Sequence, residues 1–182
     1  MTSYGSQVDG GLEAAFRPDD DPAFRLAQLL LLLEVIDAHG WTVGLDRLGM
    51  LDFFAANPFL IIDDGDAAYK RLVLAGFAAK PITYASPGQR FATRRSRIQH
   101  DLALLVSYEL AKVQVRDGFR TFVITPKGTA AAQELRSLYA DSYRNSAEVI
   151  GSRLKRLSDK KLQENCRTWL RADPALLDLY GN

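Results

Sequence analysis

Between residues 26 and 36 the chain is apolar at every position except Gln28 and Glu34. A helix that is apolar nearly all round packs on several sides inside a protein. The run is about half of the ~20 residues a bilayer span requires, and Arg25 and Asp37 flank it, so it reads as a core helix. Asp21-Pro22 marks its start, because a carboxylate accepts from free N–H groups and proline has no donor to lose at the first helical position. His39-Gly40 marks its end, giving a helix over 22–38. Leu48, Leu51, Phe54 and Ala55 recur at helical spacing and predict a second helix over 46–57, stopped at Asn57-Pro58. Asp64, Gly65 and Asp66 open a short helix that carries Tyr69, Leu72 and Val73 and ends at Gly76. Residues 81–90 read as an irregular or extended connection with a turn at Ser86, Pro87 and Gly88. Thr93 then caps a helix over 94–107, with Ile98, Leu102, Leu105 and Val106 as its buried stripe.

The period changes after residue 111. Val113 and Val115 alternate with polar residues before Asp117-Gly118, and Phe119, Phe122 and Ile124 follow. Asp-Gly between two such runs predicts a β-hairpin, since the tight turn needs positive φ angles. Thr125-Pro126 opens a long helix through Ala130, Leu135, Leu138 and Tyr139, continuing past Tyr143 toward Leu157. Ser158 and Asp159 start another through Leu162, Cys166, Trp169 and Leu170. Asp173-Pro174 starts a last short helix, with Trp169 and Tyr180 as anchors of the tail. Residues 1–11 are Ser/Gly-rich and polar, and 1–20 read as a flexible leader.

Helices followed by a two-stranded wing follow the winged-helix plan. The predicted fold is mostly α with a small β-hairpin: a winged-helix-like domain over 21–128 and a C-terminal helical extension over 129–182, packed on the same core. The segment 104–128 is similar to the end of many bacterial winged-helix domains. There a recognition helix leads into a strand, a Gly-containing turn, a second strand and a Thr-x-x-Gly helix start, here Thr125-Pro126-Lys127-Gly128. Winged helices serve both DNA and proteins, so this plan does not choose between them.

Composition narrows the classes. In 182 residues, 47% are hydrophobic and 25% charged, which excludes disorder of the whole chain. The net charge of +1 gives no general attraction to nucleic acid or anionic membrane, so any basic site is local. One cysteine, Cys166, excludes an intramolecular disulfide and points to a reducing compartment. The first residues lack a basic segment followed by an apolar run, so no signal peptide is read and a cytoplasmic location is expected.

Catalytic patterns are missing from the sequence. His39, His100 and Cys166 stand too far apart for a structural zinc site. The aspartates at 19–21 and 63–66 lack the closing Glu of a calcium loop and read as helix caps. His100 and Asp101 diverge by about 100° on a helix, which argues against a dyad. In Lys127-Gly128-Thr129 the lysine precedes the glycine, the reverse of a phosphate loop. No catalytic, cofactor or metal residue is predicted, and no small-molecule substrate.

One local charge signal remains. Arg90, Arg94, Arg95 and Arg97 sit at the entry of the candidate recognition helix, where phosphate and base contacts begin in DNA-binding winged helices. With Ile98 inward, the opposite face holds Ser96, Gln99, His100, Ala103 and Ser107. Of these only Gln99 and His100 suit a base edge, and Asp101 adds a charge that phosphates repel. Lys112, Arg116 and Arg120 place further cations on the wing. Weak DNA contact, docking of an acidic protein surface, and a solvated helix end all fit this cluster.

The segment from Arg25 through the leucines to 33, then Gly44-Leu45-Asp46-Arg47-Leu48 through Leu51-Asp52-Phe53-Phe54 and the apolar 58–62, resembles the middle component of bacterial ABC-three-component systems, part of the Lamassu-type group of antiphage defence operons. The resemblance implies a non-catalytic adaptor that bridges an SMC-like ABC ATPase and an effector subunit, in some systems a nuclease. It makes Asp46 and Arg47 candidate partner-docking residues. Their other reading is local, with Asp46 capping a helix and Arg47 on its wet side. The alternative function is a winged-helix DNA-binding transcription regulator.

Overall fold

The leucine-rich helix is the hub of the molecule. In the computed structural model, which describes residues 20–77 and 86–171, α1 spans Pro22–Ala38 and the Asp21 carboxylate accepts from Ala23 N at 2.9 Å. Gln28, Leu29 to Leu33, Val35 and Ile36 are all buried, and α1 touches α2, α4, α5, α6 and β2. Its apolarity on every side thus has a cause, since later elements surround it. None of the helices among the described residues is long and apolar enough to cross a membrane. Expectations for 1–19, 81–85, Asp173-Pro174 and Tyr180 lie outside the described residues.

The other elements follow in order: α2 (Leu45–Ala56), a 3-10 turn (Pro58–Leu60), α3 (Tyr69–Leu74), α4 (Pro87–Ser107), β1 (Ala111–Arg116), β2 (Phe119–Ile124), α5 (Pro126–Glu134), α6 (Leu138–Leu154) and α7 (Asp159–Trp169). Among the described residues the chain is mostly helical with one small antiparallel sheet, as predicted. Leu48, Leu51, Phe54 and Ala55 are buried in α2, and Ile98, Leu102 and Leu105 in α4.

Three expectations are corrected. Helix α4 begins at Pro87, not at 94, because Pro87 occupies its first turn with φ already fixed for a helix. Thr93 is therefore inside the helix. The long helix after Thr125 is two helices, broken at Leu135. There the Arg144 guanidinium donates to the carbonyls of Ala132 (2.7 Å) and Leu135 (3.0 Å), and Ser137 accepts from Ala140 N to start α6. Leu138 and Tyr139 consequently stay exposed, and Tyr143, Ala147 and Ile150 enter the core instead. On the hairpin, Val113 and Val115 face solvent, whereas Ala111, Thr121 and Ile124 are buried.

The hairpin register pairs Ala111 with Ile124 and Arg116 with Phe119. Asp117 (φ 51°) and Gly118 (φ 82°) form its turn, and Thr121 bridges to Gly44 on the outer edge of β2. Gly118→Val should destabilise the fold by about 1 kcal/mol or more, read as a lowered urea midpoint, because a β-branched residue resists this backbone region.

Cys166 is buried on α7, and burial pushes its thiol up to about 11. At pH 8 roughly one thiol in a thousand is then the reactive thiolate. Maleimide should label the native protein far more slowly than the urea-unfolded chain. Equal rates would show that the α7 packing is open.

Candidate functional site

The arginines of α4 form a seam between this helix and the rest of the fold. Arg94 points into the protein, with its side chain 10% exposed. Its Nε donates to Asp52 Oδ2 at 2.5 Å and its Nη2 to Asp52 Oδ1 at 3.0 Å, a bidentate pair, while Nη2 also reaches Gln28 Oε1. The Tyr143 hydroxyl donates to Asp52 Oδ1 at 3.5 Å, and burial, then the Asp52 charge, raises its pKa well above the ordinary tyrosine value. It therefore stays a neutral donor beside the carboxylate. Gln28 Nε2 in turn meets the Tyr139 hydroxyl. One polar knot thus ties α1, α2, α4 and α6, and no buried side-chain polar atom among the described residues lacks a partner.

A second buried pair lies beside it. Arg25 donates from Nε to Asp101 Oδ2 at 2.9 Å and from Nη2 to Oδ1 at 3.1 Å. The hydrogen bond to Asp101 raises the Arg25 pKa further. Asp101 is 4% exposed, so the expectation that it would repel phosphate from the outer face is corrected: its charge is internal and compensated.

The remaining arginines of the cluster also meet acceptors on this chain. Arg95 pairs with Asp46 at 2.7 Å, Arg97 with Asp20 at 3.2 Å, and Arg90 donates to Asn57 Oδ1 at 3.4 Å. The outward face of α4 is left with Ser96, Gln99, His100, Ala103 and Ser107, all exposed as predicted. Arg116 and Arg120 are exposed on the hairpin, where their backbones pair in the ladder and their side chains meet no acceptor among the described residues.

Arg47 does not lie on a wet side. Its Nε donates to Asp159 Oδ1 at 2.7 Å, its Nη1 to Leu154 O at 3.1 Å and its Nη2 to Leu157 O at 2.5 Å. It closes the carbonyl end of α6, where a cation offsets the helix dipole, and holds the start of α7. Asp46 is not the N-cap of α2 either. Gly44 takes that position, and Asp46 lies in the first turn facing Arg95.

This joint borders a solvent-open cleft of about 920 Å³. Its floor and walls include Trp41, Val43, Met50, Phe119 and Leu154, and Arg120 and Lys155 line it as cations. Lys155 Nζ lies 5.6 Å from the centre of the Trp41 ring. Trp41 packs against α6 at Gly151, where a Cβ would come within 2.0 Å of its Cζ3.

Gln28, Asp52, Arg25 and Arg144 organise the site but are not among the residues that the sequence singles out. The signal was present: a polar side chain inside an apolar run, such as Gln28 among leucines or Asp52 between Leu51 and Phe53, must find a partner when buried.

Among the described residues no group of three or more His, Cys, Asp and Glu could hold a metal ion. The geometry is that of a helical protein with one hairpin, whose basic cluster is largely turned to its own carboxylates. The chain belongs to the family of the ABC-three component (ABC-3C) system Middle Component 2, which it matches over residues 81–172, just over half of its length. Membership makes it one component of a multi-component system, with protein partners. The match covers α4, the hairpin and α5 to α7, so residues 25–62, which carried the resemblance, lie outside it. No curated protein and no solved structure matches the chain.

Proposed function

We propose that the chain is the non-catalytic adaptor of an antiphage defence complex, joining an SMC-like ABC ATPase to an effector subunit. Family membership supports the setting. The observation that carries the adaptor role over the regulator is the α4 seam. Arg90, Arg94, Arg95 and Arg97 each reach an acceptor within the chain, and the outward face keeps mostly short neutral side chains. A helix that reads DNA needs cations and base-matching groups on that face.

We read α1, α2, α4 and the hairpin as a winged-helix-like unit, with 129–182 as a helical extension on the same core. The isolated bridge from Gly44 to Thr121 supports this, because it ties the α1–α2 connection to the outer edge of the wing. In this reading the wing and the groove beside it meet protein, and Gln99 and His100 give at most weak DNA contact.

Affinity purification of the full chain, co-expressed with the genes that neighbour it, tests the proposal. A stoichiometric complex with an ATPase bearing a long coiled coil is expected. Isolated chain that binds one DNA sequence about a thousandfold better than random DNA would replace the adaptor by a regulator.

A further inference from the structure

We propose that the cleft between the α1–α2 connection, the hairpin and the α6–α7 joint is the docking groove for an acidic amphipathic segment of a partner protein. The inference rests on the adaptor reading and gives it a place on the molecule. The groove offers two chemistries side by side. Trp41, Val43, Met50, Phe119 and Leu154 supply an apolar lining drawn from the α1–α2 connection, α2, the hairpin and α6. Such a lining suits the apolar face of a helix or extended peptide.

The second chemistry is charge. Two carboxylates line the cleft, Asp46 and Asp159, and each is already paired, with Arg95 and with Arg47. Two lining cations remain. Arg120 has no acceptor among the described residues, and Lys155 faces only the Trp41 ring. Exposed Arg116, Arg156 and Lys160 flank them in sequence. The complement of this surface is an apolar face bordered by carboxylates. A nucleic-acid backbone would bring phosphates but nothing to cover the exposed apolar surface of Trp41, Val43 and Phe119, and surfaces that bind it present rows of cations instead. Electrostatic complementarity of this kind governs encounter and partner choice.

The groove is rigid at its base. Arg47 fixes the α6–α7 joint through three hydrogen bonds, and Trp41 lies against Gly151. A preformed groove loses less entropy when it binds a segment.

The test uses the full chain in the complex assembled with its co-expressed neighbours. A photo-crosslinking amino acid is placed at Thr42 or Gln163 on the groove, and at Gln99 on α4 as the control. The expected result is a crosslink from both groove positions to one acidic, apolar-patterned segment of a partner subunit, and none to it from Gln99. Arg120→Glu with Lys155→Glu should weaken assembly at least tenfold while leaving the circular-dichroism melt unchanged. Assembly with no groove crosslink, or insensitive to the double reversal, overturns the groove and leaves the adaptor standing. Groove crosslinks to DNA, to a second copy or to residues 172–182 of the same chain overturn the partner segment. Failure of the wild-type chain to assemble with any neighbour overturns both readings.

Discussion

Arg94→Ala should lower the unfolding free energy by about 3–5 kcal/mol, because it strands the Asp52 carboxylate in the interior. Asp52 is 5% exposed and its charge is met by Arg94, with Gln28 and Tyr143 completing the group. A domain of this size is stable by only about 5–15 kcal/mol, so the variant stands close to unfolding at room temperature. The double variant Arg94→Met with Asp52→Leu should be far milder, since no uncompensated charge is left and the apolar side chains fill similar volume. Urea titrations of the three proteins check this. A single-variant loss below about 1 kcal/mol would mean that water reaches Asp52 and that the knot is not sealed. The same argument shows why a charge reversal at Arg94 reports on folding rather than on DNA, whereas Arg95 and Arg97, with side chains 47% and 39% exposed, can be reversed to probe the surface.

Gly128→Ala should cost about 3 kcal/mol, the upper part of the usual range for overpacking. A Cβ there would lie 2.0 Å from Leu110 O and 2.8 Å from Ile124 Cγ1. The Leu110 carbonyl cannot swing aside without loss, because it accepts from Thr125 N at 3.0 Å and from Thr125 Oγ1 at 3.2 Å. Thr125 Oγ1 also accepts from Gly128 N at 3.0 Å. Threonine and glycine three residues apart therefore act together: one caps α5 and the other lets the helix end sit on the last turn before the hairpin. Hydrogen exchange should show faster exchange of the β2 and α5 amides in the variant. A thermal midpoint equal to wild type would place α5 further from Leu110 than described.

Local signals carried much of the fold. Asp21-Pro22, Asn57-Pro58, Asp117-Gly118 and Ser158-Asp159 each mark a boundary within a residue or so of where it falls, because a cap or a turn is settled by neighbours in sequence. The break between α5 and α6 was not legible. It depends on Arg144 reaching back to carbonyls nine and twelve residues earlier, and no short-range pattern announces that. The start of α4 was misplaced because Ser86, Pro87 and Gly88 have the composition of a turn, yet Pro87 also suits a helix's first turn.

The arginine cluster was legible as a charge signal but not as a geometry. Four arginines in eight residues look like a patch to any argument that cannot see Asp20, Asp46, Asp52 and Asn57, which are distant in sequence. The groove is less legible still: Asp46, Arg47 and Arg120 stand out in the sequence for separate reasons, and its lining comes from five stretches of chain that no local pattern joins. The outward set of Ser96, Gln99, His100, Ala103 and Ser107 was read correctly, because one buried reference, Ile98, fixes the whole rotation of a helix.

The burial of α1 by elements that follow it has a consequence for synthesis. Gln28 meets Tyr139 across 111 residues of sequence, and Glu34 meets Arg144 across 110. A ribosome adding roughly 5–20 residues per second leaves the leucines of α1 without their final cover for on the order of ten seconds. During that interval the nascent chain carries an uncovered apolar helix, a ready substrate for a holding chaperone and a seed for aggregation at high expression. Slower translation through α2 to α5 lengthens the exposure rather than aiding folding, so yield should improve with lower temperature only where chaperone supply keeps pace.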